Sequence, residues 1–110
     1  MPPMHDASEK LFQDKVVQIA RTCGWLTFHA VPHQVRPGVW RSDGRGFPDL
    51  VLIHPRHGVI FAELKTQTGR QTPDQKKWEE NIRASGARYE LWRPNMIDGI
   101  LDTLQGKPCK

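Results

Sequence analysis

The chain has few cysteines and no long run of apolar residues. Its 110 residues include two cysteines, Cys23 and Cys109, so we expect no disulfide framework and a reducing environment. No apolar stretch approaches the length that crosses a bilayer, and residues 1–10 lack the apolar segment of a secretory signal peptide. Internal repeats and low-complexity tracts are absent as well. These absences argue against membrane, secreted and repeat proteins, and they predict a cytoplasmic protein without a membrane partner.

Length and charge limit the number of domains and the kind of partner. A chain of 110 residues predicts one domain with a modest core. We expect that domain over residues 8–104, between a flexible leader (1–7) and a tail (105–110). The formal net charge is +4 and the isoelectric point is about 9.4. This balance suits a polyanionic partner such as nucleic acid.

Hydrophobic spacing predicts an α/β fold. Ser8 is a suitable N-cap for a first helix, and apolar residues recur on one face of it from position 12 to 23. The predicted order is helix, three strands, helix, strand, helix, over residues 8–23, 25–30, 50–53, 59–62, 72–86, 88–92 and 95–104. Strands with interspersed helices indicate a mixed central sheet of about four strands flanked by helices.

The stretch from Phe47 to Lys65 carries the strongest pattern. It reads FPDLVLIHPRHGVIFAELK, in which two apolar runs flank a segment with proline and glycine, as in two buried strands of a hairpin. If His54 lies opposite Gly58, then Asp49 lies opposite Glu63, and such opposed residues have Cβ atoms about 4.5–5.5 Å apart. A slip of one residue would turn every side chain to the other face.

Two opposed, partly buried carboxylates repel each other, and a divalent cation between them removes that repulsion. Mg²⁺ takes oxygen ligands and retains several waters, so Asp49, Glu63 and the Leu64 carbonyl are candidate metal ligands. Lys65 shares a strand face with Glu63 and would lie beside a metal-bound water. The alternative is that Asp49 only starts a strand, while Glu63 and Lys65 form an exposed polar stripe.

Residues 31–46 are predicted as a loop rich in proline, glycine and positive charge. Arginine binds phosphates, and tryptophan stacks on unpaired bases. Because the loop leads directly into Asp49, we expect it to contact DNA. The alternative is a solvated basic loop whose tryptophan packs on the protein. The candidate contacts are Arg36, Trp40, Arg41 and Arg45.

His29 and His33 have a spacing that suggests zinc, but no matching cysteine pair follows them. His29 is therefore interpreted as a hydrogen-bonded strand histidine or as a group near the bound phosphate.

The second helix begins with a capping box. Thr72 is the predicted N-cap, and Gln75 completes the box three residues later. Because a helix N-terminus favours an anionic phosphate, Arg70 before the helix and Lys76 within it are further candidates for contact with DNA. The alternative for Lys76 is an ordinary solvated charge.

Pro48-Asp49 followed by Glu63-Leu64-Lys65 resembles the PD-(D/E)XK nuclease signature. The ordered set of segments 46–50, 61–65, 72–75 and 92–94 resembles the VRR-NUC (virus-type replication-repair nuclease) family, over about residues 8–104. The resemblance implies a restriction-endonuclease-like core and an endonuclease that depends on Mg²⁺ or Mn²⁺, with no organic cofactor. The catalytic residues that it implies are Asp49, Glu63, Lys65 and Gln75.

The resemblance also implies that Glu9 of the first helix helps to hold the metal. The alternative for Glu9 is a first-turn acid that stabilises the helix dipole.

Small stand-alone members of this family resemble Holliday-junction resolvases that act as homodimers. This implies branched DNA as the substrate and a bacterial or phage-type setting. Alternatives within the same class are a flap-cutting or nicking repair nuclease and a phage replication or packaging nuclease. A rival from another class is a DNA-binding module without catalysis, but binding alone does not need the opposed carboxylates. A protein-interaction domain is a third alternative.

Overall fold

The computed structural model describes residues 5–30, 33–37, 39–41 and 44–106, and it describes only the backbone of residues 5–8, 33–36 and 39–41. The elements are α1 (His5–Thr22), β1 (Leu26–His29), β2 (His33–Arg36), β3 (Val39–Arg41), β4 (Leu50–His54), β5 (Gly58–Leu64), α2 (Pro73–Ala84), β6 (Arg88–Trp92), a 3₁₀ turn (Pro94–Met96) and α3 (Ile97–Leu104). The main sheet has the strand order β1-β4-β5-β6. The predicted mixed sheet of four strands flanked by helices is confirmed.

The hairpin of β4 and β5 has the predicted register. His54 pairs with Gly58, and the antiparallel ladder continues to the pair of Leu50 and Ala62. Gly58 has a φ of +87°, which glycine adopts without steric cost, so the second strand can start directly after the turn. β6 pairs with β5 in parallel, and α2 provides the crossover that a parallel pair requires.

Different helices cover the two faces of the main sheet. α1 and α3 pack on the face that carries Leu50, Leu52 and Ile60, which are fully buried in the main core. α2 packs on the opposite face over β6, where Tyr89 is buried. Because side chains alternate along a strand, Phe61 and Glu63 of β5 point toward the α2 side.

Two predictions about local structure are corrected. α1 begins at His5, three residues before the predicted cap, since no glycine or proline interrupts residues 5–8. The segment predicted as a loop over residues 31–46 contains the antiparallel pair β2–β3. Valine and tryptophan favour strands, and the proline at position 37 suits the turn found there. Within the described residues, no helix combines the length and the apolar character needed to cross a membrane.

Candidate active site

Asp49 and Glu63 lie on neighbouring strands, at the end of the hairpin away from the turn. One step beyond the last ladder pair, the same register places Asp49 opposite Glu63. The Asp49 carbonyl accepts a hydrogen bond from the Ala30 N–H at 3.1 Å, and its Oδ2 accepts one from the Leu64 N–H at 2.8 Å. These two bonds fix Asp49 on both sides, so its carboxylate faces Glu63 as the register predicted.

The Glu63 carboxylate is buried, with 2% of the residue exposed. Its Oε2 accepts a hydrogen bond from Gln75 Nε2 at 3.0 Å and lies 3.7 Å from Lys65 Nζ. Its Oε1 is buried and has no hydrogen-bond partner among the described residues. Burial first, and then the Asp49 carboxylate, raise the pKa of Glu63 to about 8, against the lowering effect of Lys65.

Gln75 links the start of α2 to this carboxylate. Its Oε1 accepts a hydrogen bond from the Thr72 N–H at 2.8 Å, and its own N–H donates to Thr72 Oγ1 at 3.2 Å. The predicted capping box is therefore confirmed. Because the side-chain oxygen of Gln75 is held by the cap, its Nε2 is fixed in the direction of Glu63. One residue thus serves both the helix and the site.

Lys65 is the first residue after β5, and its side chain is 12% exposed. Its backbone N–H donates to the Trp92 carbonyl at 3.0 Å. The turn that follows is held by Arg93, whose Nη1 donates to the Thr66 carbonyl at 2.8 Å and to the Gly69 carbonyl at 2.7 Å. The lysine is therefore positioned by its backbone contact with β6 and by the turn that Arg93 holds, and its side chain is mostly shielded from solvent.

The oxygen atoms of Asp49 and Glu63 fit a hard divalent cation. A buried carboxylate beside a like charge is costly, and Glu63 Oε1 lacks a partner that a cation would supply. Mg²⁺ is commonly held by one or two carboxylates together with waters. The described residues contain no group of three or more His, Cys, Asp or Glu side chains that could hold a metal ion. The chain would thus contribute two carboxylates, and the Leu64 carbonyl stays a predicted further ligand.

Glu9 and His29 are not brought to this pair of acids. Glu9 is half-exposed in α1, the helix on the opposite face, and does not form a metal-binding group with the two acids. His29 pairs with Leu50, so its side chain shares the α1 face. Its Nδ1 lies 3.1 Å from Gln13 Nε2. The roles of Glu9 at the metal and of His29 at the phosphate stay predictions.

Three of the basic candidates have described side chains. Arg45, Arg70 and Lys76 are all exposed. Arg70 precedes α2, and Lys76 follows Gln75 in its first turns, so both flank the site along the chain. The side chains of Arg36, Trp40 and Arg41 lie outside the described residues.

The segment before the two acids is anchored to α2 by contacts that were not predicted from the sequence. The Arg45 carbonyl accepts a hydrogen bond from Trp78 Nε1 at 2.9 Å, and the Phe47 ring packs edge-on against the indole with 5.0 Å between centroids. Gly46 has a φ of +87°, and a Cβ there would come 2.5 Å from the Asp74 backbone. A glycine so close to the Pro-Asp pair was the available signal, since glycine permits such close backbone approach.

Known proteins resemble this chain in sequence and in fold. The VRR-NUC domain family matches residues 11–95. A solved structure described as a VRR_NUC domain is 25% identical, with a TM-score of 0.65, over 86% of this chain and 94% of the other. A second, described as a VRR_NUC domain protein, is 18% identical, with a TM-score of 0.58, over 96% of this chain and 89% of the other, and shows the fold alone. No curated protein matches the chain. The chain belongs to the VRR-NUC family of the PD-(D/E)XK nuclease superfamily, and a nuclease-type function follows from that membership.

Proposed function

We propose that the protein is a metal-dependent DNA endonuclease whose Mg²⁺ or Mn²⁺ is held by Asp49 and Glu63. The observation that carries this proposal is the buried Oε1 of Glu63, which has no partner within the described residues and belongs to a carboxylate that faces a second one. A structural ion pair would satisfy that oxygen, whereas this arrangement leaves it available to a ligand. The resemblance to PD-(D/E)XK nucleases supports the same assignment.

The other side chains have separate roles in the proposed reaction. A bound divalent cation would polarise the scissile phosphate and lower the pKa of a water. The Lys65 ammonium stabilises negative charge that develops on the phosphate oxygens and orients the attacking water. Gln75 holds the Glu63 carboxylate in place through its capped amide. The exposed cations Arg45, Arg70 and Lys76 hold the DNA backbone, which sets its position without reading its sequence.

The proposed substrate is branched DNA, and the proposed assembly is a homodimer. One chain supplies one pair of carboxylates, so it cuts one strand at a time. Cutting two strands of a four-way junction symmetrically requires two such sites related by a two-fold axis. The resemblance to junction resolvases supports this assignment over a flap-cutting or nicking nuclease.

The test is a cleavage assay on linear, flapped and four-way DNA, with Mg²⁺, Mn²⁺ or Ca²⁺, for wild type, Lys65→Ala and Lys10→Ala. Lys10 is a matched control, since it is exposed on α1 and paired with Asp14. We expect Mg²⁺ and Mn²⁺ to support cutting and Ca²⁺ to support binding only. Loss of the charge-stabilising ammonium in Lys65→Ala should slow cutting by about 100-fold or more, with DNA binding retained.

Two results would contradict the proposal. Cleavage in excess chelator would remove the metal from the reaction, and undiminished cleavage by Lys65→Ala would remove the lysine. Equal loss of folding and of binding in Lys65→Ala would instead identify the lysine as structural.

A further inference from the structure

A cavity of about 360 Å³ lies between α2 and the segment that precedes the Pro-Asp pair. This size falls within the range of small-molecule and cofactor pockets. Four of its residues recur on one stripe of the helix, and the fifth belongs to the segment that precedes the Pro-Asp pair. The lining residues are Arg45, Asp74, Lys77, Trp78 and Asn81. We refer to this space as the indole cavity.

The indole cavity and the hydrogen bond to Glu63 both involve side chains of α2. Positions 74, 77, 78 and 81 form one face of a helix because they are three or four residues apart. Gln75 lies on the neighbouring face and donates to Glu63. Arg45 of the cavity lining also precedes Asp49 by four residues, so a DNA strand that reaches the acid pair can reach the cavity as well.

The aromatic wall of the cavity is fixed before any ligand arrives. Trp78 donates its indole N–H to the Arg45 carbonyl at 2.9 Å, and Phe47 packs edge-on against the ring. Gly44 also approaches the indole, since a Cβ there would lie 3.1 Å from it. A rigid aromatic surface loses little conformational freedom on binding.

The charges of the cavity suit a nucleotide. Arg45 and Lys77 are exposed, and neither forms an ion pair with a described residue. Two such cations favour the binding of one or two phosphate groups. The Asp74 carboxylate disfavours a bare anion but can accept a hydrogen bond from a base edge. A ligand with both a flat base and phosphates meets all of these groups.

We infer that the indole cavity binds one unpaired nucleotide of DNA next to the scissile phosphate, with its base stacked on Trp78. This inference rests on the proposed endonuclease function. A base inside a duplex is stacked on its neighbours and does not offer its face to a protein, whereas an unpaired base does. The cavity thus selects branched DNA that carries an unpaired nucleotide at the cut, such as an opened four-way junction.

The test compares three labelled DNAs by fluorescence anisotropy, with Ca²⁺ in place of Mg²⁺. One is a duplex with a short unpaired tract, the second has abasic nucleotides in the same tract, and the third is fully paired. The proteins are wild type, Trp78→Phe, Lys77→Ala and the control Lys10→Ala. Trp78→Phe keeps an aromatic ring for packing against Phe47, and Lys77 is exposed, so both variants should fold.

Wild type should bind the base-bearing tract about fivefold or more tightly than the abasic tract, as expected for one stacked base. Trp78→Phe should reduce this ratio, because the smaller ring stacks less. Lys77→Ala should weaken binding to both tracts equally, because it removes a phosphate contact. For the fully paired duplex, Lys77→Ala should change the dissociation constant no more than Lys10→Ala does.

Equal binding of the base-bearing and abasic tracts by wild type would overturn the inference. A wild-type ratio in Trp78→Phe would also overturn it and would leave Trp78 as an anchor for the preceding segment. The assay needs no cleavage, so its outcome is separable from the proposed function. A protein that cuts DNA but shows no base preference fails only the inference, and one that shows the preference but never cuts fails only the proposed function.

Discussion

The two ends of the β4–β5 hairpin each contain a buried polar side chain, but the two side chains differ in how fully they are hydrogen-bonded. His54 at the turn end is 7% exposed, and Glu63 at the other end is 2% exposed. The ring nitrogen Nδ1 of His54 accepts a hydrogen bond from the Arg56 N–H at 3.0 Å. The ring also hydrogen-bonds to the Cys23 backbone. Both polar atoms of this side chain are therefore satisfied.

The rings that pack around His54 also indicate a structural role for it. The Trp25 ring lies 5.2 Å from it and the His57 ring 4.3 Å, measured between centroids. Burial, together with the charges of His57 and Arg56, lowers the pKa of His54, so the neutral ring is the stable form. Glu63 instead has an Oε1 without a hydrogen-bond partner in the described part of the chain, and a like charge opposite it. The contrast teaches that a satisfied buried polar group supports the fold, whereas an unsatisfied one indicates a place for a ligand.

The largest expected effect that tests this contrast is on catalysis. Glu63→Gln should reduce cleavage by about 100- to 1,000-fold, because one charged oxygen ligand and its alignment are lost. The same change should raise the melting temperature of the metal-free protein, since an uncharged amide can donate to Asp49. Cleavage rates and thermal melts in chelator would measure the two effects.

Glu79→Gln is the matched control for that experiment. Glu79 lies one turn after Gln75 on α2 and accepts hydrogen bonds from Gln71 and Arg83, neither of which bonds to Glu63. Its replacement should lower the melting temperature and leave cleavage unchanged. If Glu63→Gln instead destabilised the metal-free protein, the carboxylate would be a structural group.

The second effect is on stability at the turn end. His54→Ala should lower the melting temperature by several degrees, because it removes a packed ring and leaves the Arg56 N–H without its acceptor. His54→Asn should lower it less, since the Asn side-chain oxygen can still accept from that N–H. Both variants should cut DNA at the wild-type rate below their melting temperatures. A cleavage defect in folded His54→Asn would break the contrast between the two ends.

The third effect is a pair of opposite pH dependences in the metal-free protein. The pKa of Glu63 is raised from 4.5 to about 8, so the unfolded chain loses this proton first and stability falls as pH rises through that interval. The pKa of His54 is lowered from 6.5. The unfolded chain therefore binds a proton first, and stability falls as pH drops below 6.5.

Thermal melts from pH 4.5 to 8.5 would separate the two groups. Glu63→Gln should lose the decline toward alkaline pH, and His54→Asn should lose the decline toward acid pH. An undiminished alkaline decline in Glu63→Gln would show that another group causes it.

The smallest effect concerns the surface around the site. Replacing both Arg41 and Arg45 by alanine should weaken DNA binding and reduce the slope of log affinity against log salt by about two, as expected for two phosphate contacts. Lys10→Ala, which removes an ion-paired lysine on the other face, should leave the slope unchanged. The same slope for the double variant and wild type would exclude these arginines from the phosphate contacts.

Much of the acid pair could be predicted from sequence because the hairpin is local. The turn at His54 to Gly58 and the apolar alternation set a register, and that register alone places Asp49 opposite Glu63. The capping box of Thr72 and Gln75 was equally local. The β2–β3 hairpin was missed because the proline and glycine between its strands also suit a loop.

The chain alone therefore determined the order of the elements, the pairing of the central strands and which acids face each other, since each depends on neighbours within about 20 residues of chain. Only the tertiary structure decided that Gln75 reaches Glu63, that one oxygen of Glu63 has no partner among the residues described, and that Trp78 packs over the segment before the acids. Those facts depend on where α2 settles after its crossover. That position is set by packing against β6 and the Phe47 ring, which no local pattern encodes.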